Sequence, residues 1–284
     1  MSVLKFWMAV ILGVVQGVAE FLPISSSGHL SLLQYFFGME EPDALYNILL
    51  HFATLAAVCA VYWRDVADMI LEFFRGIVDL ASRRKGTGRP PEGRRLVFLV
   101  ILGTLPLFAV LPFDDAVEGL GANPVFVSVM LLVTGCILFL SDRYSRGRKN
   151  IHTATVKDVL LVGAAQGFAT IPGLSRSGTT ISAGTALGFD RNFAVRYSFL
   201  LSLPAVFGAT LLKVVKVVKA GELDTDLLPM YLTGMVVAGV VGYFSIRLVK
   251  LLTARGKFGR FAYYCWIAGA VALIACFLYT PAGA

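Results

Sequence analysis

Residues 16–29 read Gln16-Gly17-Val18-Ala19-Glu20-Phe21-Leu22-Pro23-Ile24-Ser25-Ser26-Ser27-Gly28-His29. Residues 166–179 read Gln166-Gly167-Phe168-Ala169-Thr170-Ile171-Pro172-Gly173-Leu174-Ser175-Arg176-Ser177-Gly178-Thr179. Each lies inside a longer apolar stretch, 6–37 and 156–189, that is broken in the middle by Pro, Gly and Ser. Shifted by 150 positions, the two align without a gap. Gly13, Gln16, Gly17, Ala19, Ser25, Ser27 and Gly28 match Gly163, Gln166, Gly167, Ala169, Ser175, Ser177 and Gly178. Chance is a poor explanation for such a set, which includes both Ser-x-Ser-Gly turns, so the chain reads as an internal duplication.

The surrounding sequence says what is duplicated. Of 284 residues, 57% are apolar and only 15% are charged, with a mean hydropathy of +0.76. Soluble domains carry about 25% charged residues, so a soluble globule, a disordered chain and a disulfide scaffold are excluded. Apolar runs long enough to cross a bilayer occur at 45–63, 96–113, 124–141, 193–212, 228–247 and 261–279. Arg196 places the first turn of 193–212 at the interface. Stretches 64–95 and 142–157 read as loops, too short for separate domains. The expectation is one all-α integral membrane domain over 1–284, with repeat 1 at about 6–141 and repeat 2 at about 156–279. Each half is a re-entrant broken-helix hairpin followed by three transmembrane helices. Three is odd, so the second half enters from the opposite side, which makes an inverted repeat.

The charges agree with this layout. With the N-terminus outside, the inner loops hold 20 of the 25 Lys and Arg residues, a strong positive-inside bias. That bias explains the net charge of +7, and no aromatic-interleaved basic patch suggests nucleic acid. Cys59, Cys136, Cys265 and Cys276 sit in apolar runs without a CxxC pair and read as small buried hydrophobes. The first apolar run contains Gln16 and Glu20 and lacks a small-residue cleavage site, so it is expected to stay in place.

Two charges break the apolar pattern near the breaks, Glu20 and Arg176. A charge at membrane depth is costly and is a functional candidate by default. Each break is followed by a helix whose first amides lack intrahelical acceptors, and these amides with the helix dipole attract an anion. Ser25, Ser26, Ser27, Ser175, Ser177 and Thr179 add hydroxyls beside the Gly28 and Gly178 turns, although some of these serines read equally as helix N-caps. Arg176 adds a planar fork suited to phosphate oxygens. A carboxylate beside a phosphate needs a cation or shared proton between them, and Mg²⁺ binds through one or two carboxylates plus substrate phosphates. Glu20 is the candidate metal ligand, and Gln16 lies one turn earlier on the same face. His29 is a candidate acid or base. His51, in a span, and His152, in an inner loop, read as structural.

Gln16-Gly17-x-x-Glu20-Phe21-Leu22-Pro23-Ile24-Ser25-Ser26-Ser27-Gly28-His29 resembles the first signature of the undecaprenyl-diphosphate phosphatase family of the bacitracin-resistance type. Pro172-Gly173-x-Ser175-Arg176-Ser177-Gly178 resembles its second, and the likeness continues through Arg196-Tyr197-Ser198-Phe199-Leu200-Leu201. The resemblance implies removal of the terminal phosphate of undecaprenyl diphosphate, giving the monophosphate carrier lipid of bacterial wall synthesis. It implies a divalent cation (Mg²⁺, with Ca²⁺ the alternative), the bacterial inner membrane, and a site open to the outer face. By position it makes Glu20, Ser26, His29 and Arg176 the core catalytic residues. The remaining polar groups of the turns, Gln16 included, would bind substrate. The family commonly has Glu at position 16, and Gln16 weakens any mechanism needing two carboxylates. Two chemistries stay open: attack by Ser26 with Glu20 or His29 taking its proton, or water activated by Glu20 and a metal. The rival class is a lipid-carrier flippase or anion transporter, since broken helices in inverted repeats also suit transport.

Overall fold

The computed structural model describes residues 3–37, 44–82, 90–144, 147–220 and 228–278. Among the described residues every regular element is helical, and one isolated bridge joins Lys149 to Phe189. The basic residues Arg83, Arg84, Lys85, Arg89 and Arg146 of the inner-side count, and Tyr279 at the end of the last expected span, lie outside the described residues.

Apolar sequence runs as helix until proline or glycine interrupts it. Helix α1 (Val3–Ala19) stops at the first break and α2 (Ser26–Phe37) resumes after it. Helix α8 (Val156–Phe168) and α9 (Arg176–Ala186) flank the second break in the same way. Between them come α3 (Ala44–Val61), α4 (Trp63–Ala81), α5 (Glu92–Thr104), α6 (Asp114–Gly119) and α7 (Pro124–Tyr144). After them follow α10 (Arg191–Ala220), α11 (Leu228–Ala254) and α12 (Phe261–Leu278). Five segments among the described residues are long and apolar enough to cross a membrane: Glu92–Ala122, Pro124–Arg143, Arg191–Lys216, Leu228–Ala254 and Phe258–Leu278. The bent pair α3 and α4 passes the same test only when the two are joined. The chain is a multi-pass helical membrane protein.

Two stretches differ from the sequence expectation. Residues 64–95 are not all loop. They contain α4, which meets α3 at 89°. Its large apolar residues recur at helical spacing, as at Ile70, Phe73, Phe74 and Ile77, and all four are exposed. The other face carries Asp65, Glu72 and Asp79, ion-paired to Arg196, to Arg75 and Arg94, and to Arg94 respectively. A helix perpendicular to a span, apolar on one side and charged on the other, has the form of one lying in the interface plane. The second difference is at 96–113. The α-helix ends at Thr104 and continues as 3₁₀ turns, Leu105–Ala109 and Leu111–Phe113. Pro106 and Pro112 cause this, because each removes a backbone donor and clashes with the preceding turn.

Packing places the two broken units at the centre. Helix α1 lies along α11, α8 along α5, α3 against α10, and α7 against α12. Small residues allow the close approaches, as expected where lipid supplies no hydrophobic drive between helices. A side chain at Gly13 would meet the Gly234 carbonyl, and one at Gly163 would meet the Gly103 carbonyl. The main core gathers around the start of α10, where Phe193, Tyr197, Leu200 and Leu201 meet Leu99, Val159 and Phe189. The buried Tyr197 hydroxyl donates to the Leu99 carbonyl at 2.8 Å, which removes the penalty of an unpaired polar group there. The cysteines also depart from the expectation: Cys265 is buried, but Cys59 and Cys276 are half-buried and Cys136 is exposed. An exposed thiol on an apolar helix face is cheap where the surroundings are lipid.

Candidate active site

The breaks are built alike. Ser25 Oγ accepts from the Gly28 amide at 3.2 Å, and Ser175 Oγ accepts from the Gly178 amide at 3.1 Å. Each capping hydroxyl also lies 3.3 Å from the next serine but one, Ser27 or Ser177. N-capping therefore uses Ser25 and Ser175 on the third amide of each helix. The first-turn amides at Ser26, Ser27, Arg176 and Ser177 have no intrahelical acceptor, so two amide-rich, dipole-positive ends remain available to an anion. Ser25 holds φ at 70°, unusual for a residue with a side chain. Ser175 makes the same cap at φ −79°, so the two bends differ in backbone here and the cap does not account for it.

The bends meet. A Cβ on Gly28 would stand 3.1 Å from Gly173 Cα, and a Cβ on Gly178 would stand 3.1 Å from Pro23 Cβ. Both glycines thus sit at a close approach, where an added Cβ would press a few tenths of an ångström on the facing bend. Two residues from other helices hold the bends in place. Thr134 of α7 donates to the Gly173 carbonyl at 3.0 Å and accepts from the Ser175 amide at 3.2 Å. Cys265 of α12 donates to the Pro23 carbonyl at 3.5 Å, a weak sulfur bond of ordinary length.

Glu20 lies at the junction, 8% exposed. Arg176 reaches across from the other bend and pairs with its Oε1. Its Oε2 accepts from Ser26 Oγ at 2.7 Å and from Gln16 Nε2 at 3.1 Å. The structure thus brings Gln16, Glu20, Ser26 and Arg176 into one cluster, although 156 positions separate the acid from the guanidinium. His29 lies beside the cluster rather than in it. Its Nδ1 donates to the Ser25 carbonyl at 2.8 Å, so in the neutral ring Nε2 accepts from the Tyr264 hydroxyl at 2.7 Å. His29 makes no hydrogen bond to Ser26 or Glu20. Ser177 Oγ lies 3.5 Å from the Leu22 carbonyl, at the limit of a bond.

His51 is a group the sequence reading treats as structural. Its Nδ1 bonds to the Asn47 carbonyl at 2.9 Å, and its Nε2 stands 3.9 Å from Glu20 Oε2. No spacing signal in the sequence links a histidine on α3 to an acid on the first break. Thr134, Cys265 and Tyr264 escape the sequence reading for the same reason. His152 lies between α7 and α8, with its Nε2 3.5 Å from Glu92 Oε1.

Some polar atoms here are buried with nothing to bond. Arg176 Nη1, Thr179 Oγ1 and Gln16 Oε1 have no partner. Unsatisfied buried groups cost about 1–3 kcal/mol each, and at a functional site they point to a ligand. Two are donors suited to phosphate oxygen. The third, an amide oxygen beside a carboxylate, is suited to a hard cation. Among the described residues no group of three His, Cys, Asp or Glu forms a metal cage. The donors present fit a Mg²⁺ ion held by one carboxylate, with phosphates and water completing its shell.

The chain is similar to proteins of known name over nearly its whole length. An "Undecaprenyl-diphosphatase" of Methanosphaera stadtmanae is 40% identical over 272 residues, covering 94% of this chain and 96% of that protein. Proteins of the same name from Halothermothrix orenii and Desulfatibacillum aliphaticivorans are 38% and 40% identical, covering 95% and 96% of this chain and 98% and 99% of their own. The family model described as bacitracin resistance protein BacA matches residues 9–271, which include both breaks, Glu20 and Arg176. The chain belongs to the bacitracin resistance protein BacA family.

Proposed function

We propose that this protein is an undecaprenyl-diphosphate phosphatase, which hydrolyses the terminal phosphoric anhydride bond and leaves undecaprenyl phosphate. One observation carries the assignment of roles. Arg176 holds Glu20 with one nitrogen while Nη1 stays buried and unpaired, between two helix N-termini with free amides. An ion pair alone would need neither the spare donor nor the hydroxyls. Arg176 and the amides of both bends bind the terminal phosphate and stabilise charge as it transfers. Ser26 Oγ attacks that phosphorus. Glu20 takes the hydroxyl proton along the 2.7 Å hydrogen bond, and the bond to the bridging oxygen breaks with undecaprenyl phosphate leaving. Glu20 passes that proton to the leaving phosphate and is a carboxylate again. It then takes a proton from water, whose oxygen attacks the phosphoserine phosphorus, and returns it to Ser26 Oγ as the bond to that oxygen breaks and inorganic phosphate leaves. His29 orients the first bend by bridging Ser25 and Tyr264. A divalent cation, Mg²⁺ or Ca²⁺, would be held by Glu20 and Gln16 Oε1, and would neutralise diphosphate charge when bound.

The two halves, about 6–141 and 156–279, form one inverted-repeat domain with re-entrant bends. Reciprocal contacts support this reading. Gly28 backs onto position 173 and Gly178 onto position 23, each pair shifted by 150. Thr134 from the first half holds Gly173, and Cys265 from the second holds Pro23. The protein lies in the inner membrane, with the lipid tail entering laterally and the site open to the outer face.

The test is phosphate release from undecaprenyl diphosphate by purified protein in detergent, where sidedness is abolished and a transporter would release nothing. Wild type should turn over, Glu20→Ala and Arg176→Ala should lose at least about 10³-fold, and a chelator should inhibit. Near-normal activity of either variant would overturn the assignment of roles, and absence of turnover by wild type would overturn the function.

A further inference from the structure

Away from the bends, a groove runs between α3 and α11 with a volume of about 580 Å³. Small residues such as Ala53, Ala56 and Gly239 form its floor, and Phe52, Val236 and Phe244 form its walls. At one end it joins a second cavity of about 270 Å³, through Ala60 and Tyr243, which line both. The second cavity is lined by Trp63, Arg247 and Lys250. Arg75, Arg94, Arg176, Arg196 and Lys149 each meet a carboxylate. Arg247 and Lys250 meet none among the described residues. The Arg247 guanidinium lies 4.8 Å from the Tyr243 ring centre, and Lys250 Nζ lies 4.9 Å from that of Tyr62. Arg64, Arg95 and Arg143 also rest on rings without a carboxylate partner among the described residues, but Arg247 and Lys250 are the pair that line one cavity together. Stacking on rings holds both cations in position and leaves their charge uncompensated.

We infer that this groove and its basic pocket bind one anionic phospholipid, with the phosphate on Arg247 and Lys250 and an acyl chain between α3 and α11. An apolar channel continuous with a basic pocket calls for a ligand that carries both an anionic head and a tail. The groove follows α11 from Met235 to Phe244, about 14 Å at the helical rise. That is close to one leaflet, half of the ~30 Å hydrocarbon core. It suits an acyl chain descending from a headgroup at the same surface, and is short for a long polyprenyl tail. Trp63 stands at the turn from α3 into α4, where an interfacial aromatic is expected beside a headgroup. The site lies outside the catalytic cluster, and the inference is independent of the proposed reaction.

The experiment reads the thermal unfolding midpoint of full-length protein in detergent. It is titrated with dioleoyl-phosphatidylglycerol, dioleoyl-phosphatidylcholine, inorganic phosphate or polyprenyl monophosphate, with lipid adducts counted by native mass spectrometry. Phosphatidylglycerol should raise the midpoint and give a single adduct, while phosphatidylcholine and inorganic phosphate should do neither. Arg247→Gln with Lys250→Gln should weaken phosphatidylglycerol at least tenfold. Ala56→Phe, which fills the groove and keeps both charges, should do the same. Arg247→Lys should retain binding. Phosphate release by these variants should stay at the wild-type rate in detergent, which shows that they are folded. Unchanged phosphatidylglycerol binding in the double variant, or binding of inorganic phosphate or polyprenyl monophosphate that the double variant weakens as much as it weakens phosphatidylglycerol, would each overturn the inference.

Discussion

Replacing Arg176 with alanine separates two roles that coincide in one contact. Glu20 and Arg176 side chains are 6% and 24% exposed, so the pair is largely withdrawn from water. Arg176→Ala leaves a buried carboxylate with the neutral donors Ser26 and Gln16 and the His51 ring 3.9 Å away. Breaking a buried pair from one side costs about 3–5 kcal/mol. Adding Glu20→Gln removes the stranded charge and keeps a polar group near Ser26. The residual cost should be near that of an imperfect hydrogen bond, about 1 kcal/mol. The double variant should therefore recover about 2–4 kcal/mol relative to Arg176→Ala, read as thermal midpoints in detergent. Activity should behave differently. If the guanidinium clamps phosphate and the carboxylate moves a proton, both singles and the double lose at least about 10³-fold, and stability returns without turnover. The reasoning fails if the double variant is no more stable than Arg176→Ala, or if it regains turnover to within tenfold of wild type.

Other outcomes follow from the geometry. Quenching wild type during turnover should yield phosphate on Ser26, and substantial turnover by Ser26→Ala would refute nucleophilic attack by that hydroxyl. Thr134→Val keeps the shape of α7 but strands the Gly173 carbonyl and the Ser175 amide. It should lower stability by about 1–3 kcal/mol, and an unchanged midpoint would show that the second bend does not need this anchor. Gly28→Ala forces a methyl to within 3.1 Å of Gly173 Cα. It should push the bends apart at a cost of about 1–3 kcal/mol and raise KM, which a substrate titration checks.

Much of the architecture is legible because lipid imposes strict rules. Charge-free runs of span length stand out, and so do prolines, glycines and serines inside them. Helix α4 is less legible, since its stripe of apolar residues alternates with acids and bases and averages to loop-like polarity. The 3₁₀ turns after Thr104 are implied by Pro106 and Pro112 only once the segment is known to continue apolar. At the site, Glu20 and Arg176 are conspicuous as charges at membrane depth. Their neighbours are not. His51, Thr134, Tyr264 and Cys265 come from helices far along the chain, at positions where nothing local marks them. His29 shows the reverse limit. Its place in the motif marks it as an acid or base, but its ring nitrogens are bonded to Ser25 and Tyr264, a matter of orientation that spacing does not encode.

The bond from Cys265 to the Pro23 carbonyl joins residues 242 positions apart. During biosynthesis the acid-bearing loop is made long before its sulfur anchor. Glu20, Ser26 and Arg176 all precede α12, so the reacting groups can meet first, and this last clasp on the first bend closes only when α12 packs against α7.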